Sequence, residues 1–573
     1  MPKFLLPKRS AEPATAWILA VFLLPSLVVL GGCERAAPDR SEPAPAGTAV
    51  AAGAAGRIQA DRILADVERL SADAMGGRGT GTEGEEMAAR VLVERFEEIG
   101  LQPVGDSYRQ QFELVGTRSK PGATMALTGP DGSVPVTDGD NGSFWSSAQK
   151  EHVELDDAPL LFVGYGVEAP EYGWDDFKGQ NVSGKVLLFL NDDPPVTEDG
   201  VELFGGPART YYGRWTYKFE QAMRHGAAGA LVIHTTPSAS YGWSVVQHSG
   251  GEEHFALDLP GTGYRVDLLG WLREDLAGRI AASMGTDLDG LIEMGKSRDF
   301  QPVDTGYVVD AEIDTELRRT ATANIVAMLE GSDPELADQV LVFSAHYDHL
   351  GTNPELEGDQ IFNGAWDNAA GTASILALAE AFAATEPRPR RSVLFLACAA
   401  EENGSLGSQW FVARPPFERS GLVADFNVDM PQIFGVTRDI AAIGHETNSL
   451  GVTLQEVAGE LGIEVTGDPD PNAGSFYRSD QVNFAKAGVP ALFMLPGGDY
   501  VEPLSFSTDD YRDQHYHQPS DEVNDRWDLS GAERDMRVLY ETALRVANAD
   551  EIPRWVEGNE FEEDWKQLHD DEE

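Results

Sequence analysis

Apolar runs that end in acidic or histidine residues restrict the fold of this chain more than any other feature. Residues 340–343 lead into His346 and Asp348, and residues 392–400 lead into Glu401. Segments rich in Ala and Leu, with helical character, lie between such runs. This alternation of apolar strands and helices predicts a mostly parallel sheet covered by helices on both faces. The carboxyl ends of the strands meet at one crevice, which is where α/β proteins bind ligands.

Other candidate residues occupy equivalent positions. Asp367 opens a helix, Asp429 follows an apolar run, and His517 lies in a proline-containing loop before the last long helix. Each has an ordinary explanation when taken alone, since Asp367 could cap its helix and His517 could be any loop histidine. Together with Glu402, which follows Glu401, they supply metal-ligand side chains at several strand ends. This coincidence favours a metal site in the crevice.

Six short motifs occur in order along this part of the chain. They read H-x-D, D-N-A-x-G, A-E-E-x-G, N-x-D-M, S-D and Y-H-x-P-x-D. In type, order and interval they resemble the motifs of peptidase family M28, the aminopeptidases with two co-catalytic zinc ions. The resemblance spans residues 322–549, with residues 60–128 as a leading part. It implies an α/β fold with a mixed, mostly parallel sheet between helices, and hydrolysis of peptide substrates.

The resemblance also assigns roles to individual residues, with two zinc ions per chain. The ligands of one ion would be His346, Asp367 and Asp429. The ligands of the other would be Asp367, Glu402 and His517, with Asp367 bridging. Glu401 would be the general base, and Asp348 would orient His346. Neighbouring side chains at a strand exit point apart, so Glu402 would face the metal while Glu401 faces the substrate.

The expected substrate pocket lies near a second loop. Tyr477 and Arg478 fall where relatives shape this pocket and supply a polarising tyrosine, and Met430 follows the ligand Asp429. Two positions depart from the family pattern, because Trp366 replaces an aspartate and Ala370 a serine found in many relatives. Neither position is a ligand, so the metal assignment is unaffected.

Several functions fit this core. An aminopeptidase is the leading expectation, and a carboxypeptidase or dipeptidase is the alternative. An aminopeptidase needs an acid for the substrate ammonium, whereas a carboxypeptidase needs an arginine for the carboxylate, and Arg478 keeps the second open. A glutaminyl cyclase is disfavoured because such relatives lack the full two-metal set. A non-catalytic receptor or scaffold is disfavoured because all the ligands and the base are present.

The segment 129–310 differs in character from its surroundings, being rich in loops, glycine and aromatic residues. Its order of strands and helix, clearest over residues 159–249, resembles a protease-associated (PA) domain. We therefore predict a β-rich PA-like insertion at 129–310, which separates the two parts of the peptidase domain, 57–128 and 311–550. Its expected role is that of a lid or packing domain.

The N-terminus predicts export and a membrane anchor. Basic residues precede the apolar residues 17–30, and the sequence LGGC that ends at Cys33 resembles a bacterial lipoprotein box. We expect a signal peptide at 1–32, lipid attached to Cys33 and a flexible linker at 33–56. The expected location is the cell envelope, on the outer membrane.

Charge and cysteine content limit the partners. The chain has 43 Lys and Arg against 95 Asp and Glu, a net charge of −52, which argues against nucleic acid as a partner. With Cys33 committed to lipid, Cys398 has no partner for a disulfide, and its apolar surroundings predict a buried thiol. The last segment, 551–573, is predicted to be an acidic tail with aromatic residues that dock in part on the body.

Overall fold

One strand of 27 residues, Val303–Leu329, runs through both sheets of this protein. In its first half, alternate residues from Thr305 to Thr315 are buried, as expected when one face meets a core and the other meets solvent. In its second half, residues 322–327 are all buried, because both faces of the strand are covered. The predicted domain limits at 129 and 310 fall inside Thr124–Gly129 and this long strand, since loop content does not mark where strands end.

The main sheet carries the apolar runs seen in the sequence. Its four central strands run parallel, whereas the long strand and the outer strand Asp439–Ile443 run antiparallel to their neighbours. In spatial order the strands are Glu253–Leu257, Arg109–Ser119, Val303–Leu329, Ser392–Cys398, Val340–His346, Leu422–Val428, Ala491–Leu495, Asp439–Ile443 and Glu464–Thr466. Gln102–Pro103 pairs with the far end of the long strand. The predicted fold class, a mixed and mostly parallel α/β sheet with helices, is confirmed.

Both faces of the central strands are covered. Leu341 and Phe343 pack in a core cluster with the helix Gly371–Ala383, whereas Val340 and Val342 pack in a separate cluster on the other face. Because side chains alternate along a strand, a continuous apolar run is required when both faces are buried. The continuous apolar runs that predicted the sheet are therefore explained by the cover on both of its faces.

The second sheet consists largely of residues from the predicted insertion. In spatial order its strands are Gly132–Val136, Thr124–Gly129, Val303–Leu329, His152–Phe162, Val186–Leu190, Gly229–His234, Leu268–Arg273 and Gly142–Trp145. Short strand pairs are Glu168–Ala169 with Trp174–Asp175, Thr197–Glu198 with Val201–Glu202, and Gly351–Thr352 with Ile361–Phe362. The helices of the chain are Ala60–Leu70, Glu83–Ile99, Trp215–Arg224, Thr236–Ala239, Glu274–Ser283, Leu288–Gly295, Gly371–Ala383, Leu406–Ala413, Ser449–Glu460, Gln481–Lys486, Thr508–His515, Ser530–Asn548 and Glu562–His569.

The computed structural model describes residues 53–198, 200–206, 208–259 and 264–569. The predicted signal peptide 1–32, Cys33 and most of the linker 33–56 lie outside the described residues. The folded body begins before the predicted end of the linker, since Ala54–Arg57 forms a 3-10 turn in which Ala55 is buried. Within the described ranges, every helix is too short or too polar to cross a bilayer. Cys398 is a free, buried thiol, as predicted.

The acidic tail packs on the body through its aromatic residues. Trp555 and Phe561 are buried, and the indole of Trp555 donates a hydrogen bond to the carbonyl of Gly488 at 3.0 Å. The tail ends in the helix Glu562–His569. Charge keeps this segment soluble, while burial of its rings holds it in place.

Candidate metal centre

Two histidines approach a single carboxylate at the crevice formed by the central strand ends. Nε2 of His346, the last residue of its strand, lies 3.2 Å from Asp367 Oδ1 and 3.5 Å from Asp429 Oδ1. Nε2 of His517 lies 3.1 Å from Asp367 Oδ2 and 3.3 Å from Glu402 Oε2. Each oxygen of Asp367 thus faces a different histidine. The structure brings together all five ligands proposed from the sequence, with Asp367 between the two halves.

Several atoms of this group are buried without a hydrogen-bond partner among the described residues. They are His346 Nε2, Asp429 Oδ1, His517 Nε2 and His349 Nε2. Buried polar atoms are nearly always satisfied in proteins, so unsatisfied ones that converge on one point call for a further group. Imidazole nitrogen and carboxylate oxygen are ligands that suit zinc. The donor set therefore fits a zinc centre.

Charges within the group reinforce this arrangement. Burial by itself would raise the pKa of Asp367, but its contacts with His346 and His517 lower that pKa well below the usual range. Burial and Asp367 raise the pKa of Glu402, yet His517 and His349 lower it to about 2. Both carboxylates are therefore ionised at neutral pH. Although burial opposes it, the carboxylates of the centre raise the pKa of His346 above its usual range and that of His517 to about 11. A bound metal ion would take the place of the protons on these two histidines.

Glu401 lies beside the ligands with one free oxygen. Its Oε1 accepts a hydrogen bond from Ser405 Oγ at 3.2 Å, and its Oε2 is 3.9 Å from His346 Nε2. The strand ends at Cys398, so strand geometry does not separate Glu401 from Glu402, contrary to our prediction. The separation follows a turn at Ala400, whose φ of 56° lies in the left-handed region that costs a non-glycine residue about 1 kcal/mol or more.

Asp348 contacts His346, as the sequence suggested, but through its main chain, whereas its side chain contacts other residues. Nδ1 of His346 faces the main-chain carbonyl of Asp348 at 3.2 Å, whereas the carboxylate of Asp348 is 3.9 Å away. This carboxylate accepts the backbone N–H groups of Glu401 at 3.0 Å and Glu402 at 3.3 Å. Asp348 therefore orients the histidine through its backbone and fixes the two glutamates through its side chain.

His349 is a site residue that the sequence analysis missed. Its Nδ1 lies 2.6 Å from Glu402 Oε1, and the ring is buried. Together with Asp367 and Glu402 it forms one of two groups, among the described residues, that could hold a metal ion. The other group consists of His346, Asp367 and Asp429. Gly364 leaves room for the ring, because a Cβ there would meet it at 2.5 Å. The available signal was a second histidine directly after H-x-D.

The ligands are held by further buried contacts. Ser479 Oγ donates to Asp429 Oδ2 at 2.8 Å and receives a hydrogen bond from Asn427 Nδ2 at 2.9 Å. Ser479 thus occupies one oxygen of Asp429 and leaves Oδ1 directed at the centre. Asp521 accepts the backbone N–H of Asp367 at 3.1 Å. Trp366, which departs from the family pattern, is fully buried and donates to the carbonyl of Pro431, so it belongs to the core.

The residues predicted to line the substrate pocket separate into two places. Met430 follows Asp429 with φ 52° and its N–H donates to Asn368 Oδ1, beside the centre. Tyr477 instead donates to Glu560 Oε1 at 2.5 Å and packs on Tyr211, so its contacts do not support the polarising role.

A different tyrosine lies next to one of the candidate ligands. Tyr516 stacks on His517 with ring centroids 3.9 Å apart. Burial raises the pKa of its phenol well above the usual range, and the charges of Asp367 and Glu402 raise it further. The phenol is therefore protonated at neutral pH and can donate a hydrogen bond.

Comparisons with known proteins bear on the family and the fold of this chain. The model of a family described as Peptidase family M28 matches residues 324–542. A probable zinc metalloprotease of Pyrenophora teres f. teres is 28% identical over 239 residues, covering 40% of this chain and 49% of the relative. A probable glutamate carboxypeptidase AMP1 of Arabidopsis thaliana is 25% identical over 211 residues, covering 34% and 27%. The chain spans between 23% and 49% of the length of the first curated relatives it matches.

The solved aminopeptidase from Aneurinibacillus sp. strain AM-1 has the same fold. Its TM-score is 0.50 at 16% sequence identity, and the match covers 87% of this chain and 96% of that one. The likeness supports the mixed, mostly parallel α/β sheet described above.

Proposed function

We propose, because residues 324–542 belong to peptidase family M28, that this chain is a zinc-dependent exopeptidase that removes N-terminal residues from peptides. The observation that carries the proposal is the Asp367 carboxylate, which places one oxygen near His346 and the other near His517. Unsatisfied histidine nitrogens on both sides of one carboxylate are the arrangement that a pair of metal ions requires. Two ions, bridged by Asp367, are accordingly part of the proposal.

Each residue then has a distinct part in hydrolysis. The chemistry that zinc supplies here is a water of lowered pKa and a polarised peptide carbonyl. With zinc held by these residues, Glu401 would accept a proton from water on Oε2, the oxygen that lies 3.9 Å from His346 Nε2, and would pass it to the leaving amine. Ser405 holds Oε1 and Asp348 holds the backbone of Glu401, so the base is fixed in position. Tyr516, which stacks on His517, is proposed as a hydrogen-bond donor to the substrate oxygen.

His349 completes the second half of the centre. By holding Glu402 Oε1, it leaves Oε2 directed toward His517. A side chain that orients a ligand carboxylate typically affects metal affinity by a factor of about 10 to 100. His349 is therefore proposed as a positioning residue, with its free Nε2 available as a further ligand.

A carboxypeptidase is the second candidate. Arg478 lies directly before Ser479, which holds the ligand Asp429, and an arginine in that place suits a substrate carboxylate. The glutamate carboxypeptidase relative has a name consistent with such an activity. Free and blocked termini on the substrate separate the two candidates.

The cellular setting is part of the proposal. The lipoprotein-type sequence ending at Cys33 supports a lipid anchor in the cell envelope, and segment 129–310 supports a PA-like insertion beside the catalytic body. Mass spectrometry of the mature protein tests the anchor, because an unmodified Cys33 would exclude it.

Two glutamate variants and a control test the mechanism. Glu401→Gln should lower kcat by about 10²-fold or more while zinc content stays at the wild-type level. Glu402→Gln should instead reduce zinc content, and Glu418→Gln, at an exposed position, should change neither. Activity is measured on aminoacyl anilides and on N-blocked peptides. Cleavage of only the blocked peptides, from their C-termini, would replace the aminopeptidase proposal by the carboxypeptidase one.

A further inference from the structure

Two rows of polar side chains interrupt the apolar central strands and lead to the metal centre. Asp425 and Asn427 occupy alternate positions of the strand that precedes Asp429, so their side chains point to the same face of the sheet. Ser344 precedes His346 at the same spacing on the neighbouring strand, where it pairs with Asn427. Asp425, Asn427 and Ser344 are all buried. Buried polar groups need hydrogen-bond partners, so these three require an explanation beyond packing.

A continuous row of hydrogen bonds connects Asp425 to the candidate ligand Asp429. Ser344 Oγ lies 2.8 Å from Asp425 Oδ1 and 3.0 Å from Asn427 Oδ1. Asn427 Nδ2 donates to Ser479 Oγ at 2.9 Å, and Ser479 Oγ donates to Asp429 Oδ2 at 2.8 Å. Three side chains therefore stand between the buried acid and the ligand, each in contact with the next.

The orientation of the Asn427 amide follows from a main-chain carbonyl nearby. The carbonyl of Phe476 can only accept a hydrogen bond, and it lies 2.7 Å from Gln481 Nε2, which donates to it. Gln481 Oε1 is then an acceptor, and it lies 2.7 Å from Asn427 Nδ2. Asn427 therefore directs its NH2 group at Gln481 and Ser479, and its oxygen at Ser344.

The number of available hydrogens requires Asp425 to be protonated. The hydroxyl of Ser344 has one hydrogen but lies between two oxygens, those of Asp425 and Asn427. Asn427 Oδ1 carries no hydrogen, so it has to receive that of Ser344. The contact between Asp425 and Ser344 is then a hydrogen bond only if Asp425 is the donor. An ionised Asp425 would instead take the hydrogen of Ser344 and leave Asn427 Oδ1 without this donor.

The surroundings of Asp425 favour the neutral acid. Its Oδ2 is buried and has no hydrogen-bond partner among the described residues. Burial raises the pKa of Asp425 well above the usual range, the hydroxyl of Ser344 opposes this, and the charge of Asp480 raises it further. Cys398 on the adjacent strand supplies no positive charge, because burial raises the pKa of its thiol as well. An isolated buried carboxylate is strongly disfavoured, so geometry and environment agree.

We infer that Asp425 is a protonated positioning residue of the metal centre, whose hydrogen bond to Ser344 begins a chain that fixes the ligand Asp429. The inference rests on the proposed function and deepens it. In this chain every donor points toward the ligand, from Asp425 through Ser344, Asn427 and Ser479. Hydrogen bonds aligned in one direction polarise one another, so Ser479 becomes a stronger donor to Asp429 Oδ2. Oδ1 of the ligand then stays directed at the centre.

Variants of Asp425 test its positioning role. Asp425→Leu, which has a similar size but no donor, should lower zinc affinity about 5- to 10-fold, as measured by competition with a chelator. Asp425→Asn keeps a donor toward Ser344 and should retain most of the affinity that Asp425→Leu loses. Asp338→Asn, at an exposed position, is the matched control. Melting of the metal-free proteins shows whether each variant is folded. A loss of affinity that is equal in Asp425→Asn and Asp425→Leu would overturn the inference.

A double variant tests whether Asp425 acts through the chain. In the Ser479→Ala background the chain is already broken, so Asp425→Leu should lower zinc affinity little further. Effects of substitutions on separate residues otherwise add, so this lack of additivity is the signature of the connection. If Asp425→Leu lowers the affinity by the same factor with and without Ser479→Ala, Asp425 does not act on the ligand through Ser479.

Infrared spectroscopy tests the protonation of Asp425 without any need for activity. At neutral pH the difference spectrum of wild type and Asp425→Asn should show the loss of the C=O stretching band of a protonated carboxylic acid. The spectrum of Asp338→Asn should show the loss of a carboxylate band. Loss of a carboxylate band in Asp425→Asn would refute the inference. A protein that binds no zinc would contradict the proposed function, whereas the infrared band would still decide whether Asp425 donates to Ser344.

Discussion

Replacing Glu560 by Gln should stabilise the protein in alkaline solution and leave it almost unchanged in acid. Glu560 of the acidic tail accepts a hydrogen bond from Tyr477 on Oε1 at 2.5 Å and from the backbone N–H of Tyr211 on Oε2 at 3.2 Å. It therefore joins the tail to the insertion and to the loop that carries Arg478. Gln fits the same place, because its oxygen accepts from Tyr211 and its amide donates to Tyr477.

The magnitude follows from the pKa of this carboxyl. Burial raises the pKa of Glu560 from 4.5 to about 8. Because the folded form binds the proton more tightly than the unfolded form, stability is lost as the pH rises from about 4.5 to about 8. At about 1.4 kcal/mol per pH unit the full loss is about 5 kcal/mol. The side chain is partly accessible to solvent, so we expect about 2 to 3 kcal/mol.

Urea unfolding at pH 5 and pH 9 measures the effect. The free energy of unfolding of Glu560→Gln minus that of the wild type should be close to zero at pH 5 and about 2 to 3 kcal/mol at pH 9. Glu557→Gln, three residues away and exposed, controls for the loss of one negative charge. A difference for Glu560→Gln that is the same at both pH values would refute the reasoning, since it would mean that the buried carboxyl does not titrate between them.

Three further results are expected at the metal centre. His349→Gln should weaken zinc binding by about 10- to 100-fold, as measured by competition with a chelator. An unchanged zinc affinity would contradict the proposal that His349 holds Glu402. Ser479→Ala should lower zinc affinity about 10-fold, because Asp429 loses the donor that fixes one of its oxygens, whereas the exposed Ser332→Ala should not. Dialysis against a chelator should abolish peptide hydrolysis and lower the melting temperature, with both restored by zinc, and activity that persists without bound metal would contradict the mechanism.

Local sequence was sufficient to predict the framework and to bring the candidate ligands to one crevice, whereas their individual roles came from the resemblance to family M28. An apolar run can form a strand buried on both faces. A polar residue at the carboxyl end of such a strand then lies in the crevice where the parallel strands end. For this reason His346, Asp367, Glu402, Asp429 and His517 could be placed in one crevice before any coordinates. The same logic located Glu401 next to them.

Tertiary structure alone decided how these residues are held and what surrounds them. The pairing of His349 with Glu402, the hold of Asp348 on two backbone N–H groups, and the contact of Tyr477 with Glu560 depend on loop paths that no periodicity encodes. The junction of the two sheets lies within the single strand Val303–Leu329 and could not be located from the sequence. Which part of this strand belongs to which sheet is determined by its pairing partners and not by its composition. Arg478 contacts Ser240 of the insertion only because the insertion packs on the loop before Ser479. Contacts between such distant residues are fixed by packing of the whole chain.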